Sequence, residues 1–124
     1  MDLRSASAAR PELAADRAAV TAPFDELMHG LGEVLGKKLA AYLAGALNTD
    51  RDPDGDAPAT ERLRRPYIVA LMLRSRDFPS VVQAWFTGLN PELDDRSPIR
   101  ILTEGTEDEA RAVLGAARLF LAVG

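Results

Sequence analysis

The side chains with chemical potential in this chain are few: one histidine, no cysteine, and carboxylates that cluster at Asp50 to Asp56, Asp94-Asp95 and Glu107-Asp108-Glu109. His29 stands among apolar residues at helical spacing, with no serine or metal-ligand arrangement around it, which reads as a surface or boundary residue. Paired carboxylates do acid–base work only where burial and opposed environments separate their pKa values. Adjacent acids in a loop or at a helix start are usually solvated or capping. Asp50, Asp52, Asp54 and Asp56 alternate as calcium ligands do, with Gly55 between the last two and Glu61 where a bidentate glutamate would close such a loop, but Pro53 intrudes. Gly30-Leu31-Gly32 and Gly36 match neither a P-loop nor a dinucleotide fingerprint. Without cysteine there is no thiolate nucleophile, disulfide or cysteine-based zinc site. The expectation is a protein that is not an enzyme and carries no cofactor and no metal.

The elements that must position any site are helical. Leu27, Leu31, Val34 and Leu35 recur at helical spacing after Phe24, with Asp25 and Glu26 complementing the dipole in the first turn, and Gly36 ends or bends this helix. Leu39, Tyr42, Leu43, Ala46 and Leu47 repeat the rhythm over Lys37 to Leu47. Asn48 to Asp56 holds four aspartates, a proline and a glycine, and reads as the clearest loop. Ala57 to Arg76 is helical on the strength of Leu63, Tyr67, Val69, Leu71, Met72 and Leu73, with a kink or a fresh start at Pro66.

Val81, Val82, Trp85, Phe86 and Leu89 mark one wide face of a helix after Phe78-Pro79 that stops at Gly88 to Pro91. Asn90 to Arg96 is then a loop. Ser97 as N-cap and Pro98 at the first helical position open the next helix, which Gly105 closes. Thr106 and Glu109 form a capping box ahead of a helix whose Ala110, Val113, Leu114, Ala117 and Leu121 share a face. The fold class is all-α, a compact bundle of about five to six helices. Residues 1–22, with Leu13 and Val20 as their main apolar groups, are a weakly anchored segment. Residues 23–65 form one region and 66–124 another.

The net charge of −4 argues against non-specific affinity for nucleic acid. No apolar run approaches the roughly 20 residues needed to span a bilayer, and the first residues lack a signal-peptide core. With cysteine absent, the expected location is the cytoplasm.

The segment Ala84-Trp85-Phe86-Thr87-Gly88-Leu89-Asn90-Pro91-Glu92-Leu93-Asp94-Asp95-Arg96-Ser97-Pro98, followed by Leu102 and Gly105, resembles the toxin-binding domain of the Xre/MbcA/ParS antitoxins. The resemblance covers Tyr67 to Phe120, about half the chain. A weaker similarity runs through Leu31 to Gly45, which looks like the start of that family's helix-turn-helix. The resemblance implies an antitoxin of a type II toxin–antitoxin system, partner of a RES-domain toxin that consumes NAD, often with repression of its own operon as a dimer. The toxin-binding surface it suggests comprises Trp85, Asn90, Pro91, Leu93, Arg96, Arg100, Arg118, Phe120 and Val123. Its expected assembly is a homodimer or a toxin–antitoxin hetero-oligomer, with Phe24 to Leu35 the candidate for self-association.

The sequence departs from that family where a recognition helix would follow Gly45. Asn48 to Asp56 occupies the place, and its aspartates would repel phosphates. Lys37, Lys38, Arg51, Arg62, Arg64 and Arg65 remain as weak backbone contacts, so operator binding is expected to be weak or absent. An autorepressor or a generic helical adaptor are the alternative functions.

Overall fold

Apolar side chains three and four residues apart build this fold, and each amphipathic segment closes by burying its stripe against a neighbour. The computed structural model describes Ala15 and residues 23–47 and 59–123. Within them are six α-helices: α1 Phe24–Leu35, α2 Lys37–Leu47, α3 Ala59–Arg74, α4 Pro79–Thr87, α5 Pro98–Glu104 and α6 Glu107–Val123, with a 3-10 turn at Pro91–Leu93. No strand occurs among the described residues, and the fold is an all-α bundle. Residues 1–22 other than Ala15, and the acidic segment Asp50 to Asp56, lie outside the described residues. Ala15 itself is helical and buried in the core.

α1 buries Leu27, Leu31, Val34 and Leu35, the four residues whose spacing defines its stripe. Gly36 alone separates α1 from α2, at a φ of +90° that a side chain would strain. α2 turns Ala40 and Leu43 inward, and this rotation leaves Tyr42 50% exposed rather than on the buried face.

α3 is continuous through Pro66, whose ring is fully buried. The missing N–H leaves the carbonyl one turn earlier without its usual donor, and burial of the ring among the packed helices offsets that loss. α3 packs against α1, α2, α4 and α6, so it is the central element. The boundary drawn between residues 65 and 66 falls inside this helix, and both regions share one core.

The last third is organised by caps. Ser97 accepts from the Arg100 N–H at 3.4 Å, with Pro98 in the first turn of α5. The Thr106 hydroxyl accepts from the Glu109 N–H at 3.2 Å, and the Glu109 carboxylate accepts from the Thr106 N–H at 2.9 Å. This reciprocal pair satisfies two donors that the start of α6 would otherwise leave unpaired. No helix among the described residues is long and apolar enough to cross a membrane.

Candidate partner-binding surface

The residues nominated from the sequence lie on α4, the turn after it, the start of α5 and the far end of α6. Adjacent residues on a helix point about 100° apart, and α4 uses that difference. Phe86 is fully buried, while Trp85 is half-buried beside it, ring edge against ring at 5.5 Å. Trp85 also lies 6.3 Å from the Phe120 ring. One tryptophan therefore links α4 to the last turns of α6.

The turn from Asn90 to Arg96 is closed from within. The Asn90 side chain accepts from the Glu92 N–H at 2.9 Å, and an isolated antiparallel bridge joins Asn90 to Arg96. Leu93 is the turn's anchor in the core, only 3% exposed. Asp94 and Asp95 both adopt left-handed conformations, with φ of 56° and 60°. Aspartate tolerates that region better than most side-chain-bearing residues. Pro91 is exposed at the rim of the turn.

Arg96 is half-buried and bonds Glu109 at 2.7 Å, tying the turn to the start of α6. The Thr106 N–H, foremost, and the Arg96 guanidinium hold the Glu109 carboxyl below the usual carboxylate range. Glu107 is also lowered, chiefly by its hydrogen bond from Arg65 at 2.6 Å. Arg111, one turn after Glu107, lies 3.7 Å from Asp108. Arg111 adds a smaller favourable charge near Glu107, whose hydrogen bond comes from Arg65.

The end of α6 is pinned by a residue that the sequence did not single out. Arg76, just beyond α3, donates to the Leu121 carbonyl and, at 3.2 Å, to the Phe120 carbonyl. The final carbonyls of a helix lack intrahelical partners, so Arg76 acts as a cap supplied from another element. It also lies within 3.5 Å of Asp77, whose Oδ2 is buried without a hydrogen bond, close enough for an ion pair but not aligned for donation.

Arg100 and Arg118 are exposed, Arg100 beside Glu104 at 3.5 Å. Leu119 and Val123 project outward from α6 at 42% and 76% exposure, whereas Phe120 is half-buried. The structure thus brings Trp85 and Phe120 together and ties Arg96 to α6, while Leu93 serves the core. Phe78 and Leu89, at 76% exposure each, are prominent surface residues absent from the nominated set. A sequence signal was present: Phe78 to Pro91 is fourteen consecutive residues without a charge.

Of the weak nucleic-acid set, Lys37 and Lys38 are exposed at the start of α2. Arg65 is engaged with Glu107, and Arg64 is half-buried. Arg51 and the Arg62 side chain lie outside the described residues. His29 is exposed and lies 2.7 Å from Glu33. No cluster of three or more potential metal ligands occurs among the described residues.

No protein-family model matches this sequence, and neither a curated protein nor a solved structure matches it.

Proposed function

We propose that the chain is an antitoxin that binds a RES-type, NAD-consuming toxin through its C-terminal half and blocks it sterically. The observation that carries the reading is the end of α6. Leu119 and Val123 point outward from a helix end that Arg76 and the Trp85–Phe120 contact hold in place. A pre-ordered apolar helix end loses little conformational freedom on binding and suits the mouth of a partner's pocket. Trp85 supports this end through Phe120, and Arg118 and Arg100 supply long amphipathic side chains suited to an interface rim. The segment resembling the antitoxin family, Ala84 to Pro98, forms the end of α4, the closed turn and the start of α5.

The test is co-expression with the product of the adjacent open reading frame, together with a chain truncated before Leu119. Co-purification and neutralisation by the full chain, lost on truncation, are the expected results. Full neutralisation by the truncated chain would remove α6 from the mechanism. An operator-binding repressor is the competing reading, and a salt-dependent, sequence-selective shift of the chain's own promoter DNA would favour it.

A further inference from the structure

Asp77 buries one carboxylate oxygen, Oδ2, without a hydrogen-bond donor. Such an acceptor costs free energy, so a fold that keeps one calls for a compensating interaction. The charge facing that oxygen is Nε of Arg76, at 3.5 Å. The other two nitrogens of the same guanidinium donate to the last turn of α6, Nη1 to the Leu121 carbonyl and Nη2 to the Phe120 carbonyl. Arg76 thus has one nitrogen on Asp77 and two on α6.

The backbone beneath Arg76 is fixed as well. The N–H groups of Arg76 and Asp77 both donate to the Leu73 carbonyl, at 3.2 and 2.9 Å, and the Arg74 side chain donates to the Asp77 carbonyl at 3.4 Å. Leu73 itself is fully buried, so the turn leaving α3 presents the guanidinium from an anchored base.

The helix end that it grips carries no basic residue in its own last turn. Helix termini open at little cost unless something ties them down. Here the tie is on Phe120, whose half-buried ring lies 5.4 Å from the Arg76 guanidinium and 6.3 Å from the Trp85 ring. Leu119 immediately precedes Phe120, and Val123 follows Leu119 by four residues. With about 100° of rotation per residue, fixing Phe120 fixes the direction of both outward side chains.

We propose that Arg76, oriented by Asp77, is a positioning residue for partner binding: it acts through Phe120 and Leu121 to hold Leu119 and Val123 in the binding geometry, without touching the partner. The proposal rests on the antitoxin reading and adds to it two residues outside the surface that the family resemblance suggests. Apparent affinity falls with the fraction of chains whose binding element is ordered. Loss of that order slows association, whereas loss of a direct contact speeds dissociation.

The test is the kinetics of the full chain binding the product of the adjacent open reading frame, with amide exchange of the free chain alongside. R76A is expected to speed exchange from Leu119 to Val123 and to slow association by about tenfold, with dissociation within about twofold of the parent. R76K recovers part of the loss, because an ammonium lacks the fork that reaches two carbonyls. D77N slows association by a smaller factor, and R76A/D77N is no slower than R76A, since Asp77 acts only through Arg76. G30A, which brings a Cβ within 2.6 Å of the Tyr67 ring, destabilises the fold without changing association. Unchanged exchange at the end of α6 in R76A overturns the proposal, as does unchanged binding. So does a loss that falls on dissociation, that adds to the effect of D77N, or that G30A reproduces. Each of those results leaves the antitoxin reading standing, whereas a parent chain that does not bind the neighbouring product overturns both.

Discussion

The guanidinium of Arg76 lies 5.4 Å from the centroid of the Phe120 ring while donating to the carbonyls of Phe120 and Leu121. One side chain thereby caps a helix, stacks on its aromatic residue and joins the end of α3 to the end of α6. No basic residue occupies the last turn of α6 itself, so this distant arginine supplies the positive charge that the C-terminal dipole favours.

Arg76→Ala therefore removes a cap and a cation–π contact together. Charge-assisted bonds to carbonyls and an exposed cation–π contact together contribute about 1–3 kcal/mol. The expected loss in urea unfolding is of that size, and amide exchange should accelerate first at Phe120 to Val123. Arg76→Lys should recover only part of it, since an ammonium lacks the planar fork that reaches two carbonyls. Unchanged exchange in the last turn of α6 would show that the arginine does not hold it.

Glu107 and Glu109 predict an acid-sensitive start to α6. Their folded pKa values are depressed by Arg65 and by Thr106 with Arg96, respectively. A depressed carboxyl contributes stability that is fully present above its unfolded value near 4.5 and is lost as pH falls through the folded one. The melting temperature should thus fall as pH drops below about 4.5, and E107Q/E109Q should flatten that slope. Glutamine at 109 still satisfies the capping box, so the double variant stays folded at neutral pH. An equally steep acid slope in E107Q/E109Q would assign the effect to other carboxylates.

The all-α fold was legible because nearly every helix announces itself by local rules. Leu27, Leu31, Val34 and Leu35 give period and face, and Ser97-Pro98 and Thr106–Glu109 give starts by mechanisms confined to four residues. What local pattern leaves undetermined is how far each helix rotates when several neighbours compete for its faces. Val81, Val82, Trp85, Phe86 and Leu89 look like one wide apolar face, yet only Val82 and Phe86 are fully buried, Trp85 is half-buried beside them, and Leu89 falls beyond the end of the helix at Thr87. Tyr42 is exposed for the same reason. Arg76 could not be found from spacing, since its carbonyl partners lie more than forty residues away. Similarly, the Arg65–Glu107 pair spans 42 residues.

The two left-handed aspartates of the Asn90–Arg96 turn give a conformational prediction. Asp94 and Asp95 have φ of 56° and 60°, where glycine carries no Cβ penalty. Asp95→Gly should leave stability within about 1 kcal/mol of the parent, whereas Asp95→Val should lose about 1–2 kcal/mol because a β-branched residue resists that region. Chemical denaturation of the two variants reads the difference. Equal stabilities would mean that the turn relaxes its backbone rather than bearing strain.

Gly30 offers the sharpest test of how α1 and α3 approach each other. A Cβ at this position would sit 2.6 Å from Cε1 of Tyr67, closer than non-bonded carbons come. Alanine in a helix interior gains about 1 kcal/mol over glycine. Forcing the half-buried Tyr67 ring aside costs about 1–3 kcal/mol, so the clash outweighs the gain and Gly30→Ala should destabilise. In a Tyr67→Leu background the obstacle is gone and only the helix-propensity term remains, so the same substitution should stabilise. A change of sign between the two backgrounds, measured by urea unfolding as a double-mutant cycle, isolates the packing contact. Gly30→Ala acting equally in both would show that the tyrosine yields its place at no cost and does not set the spacing of the two helices.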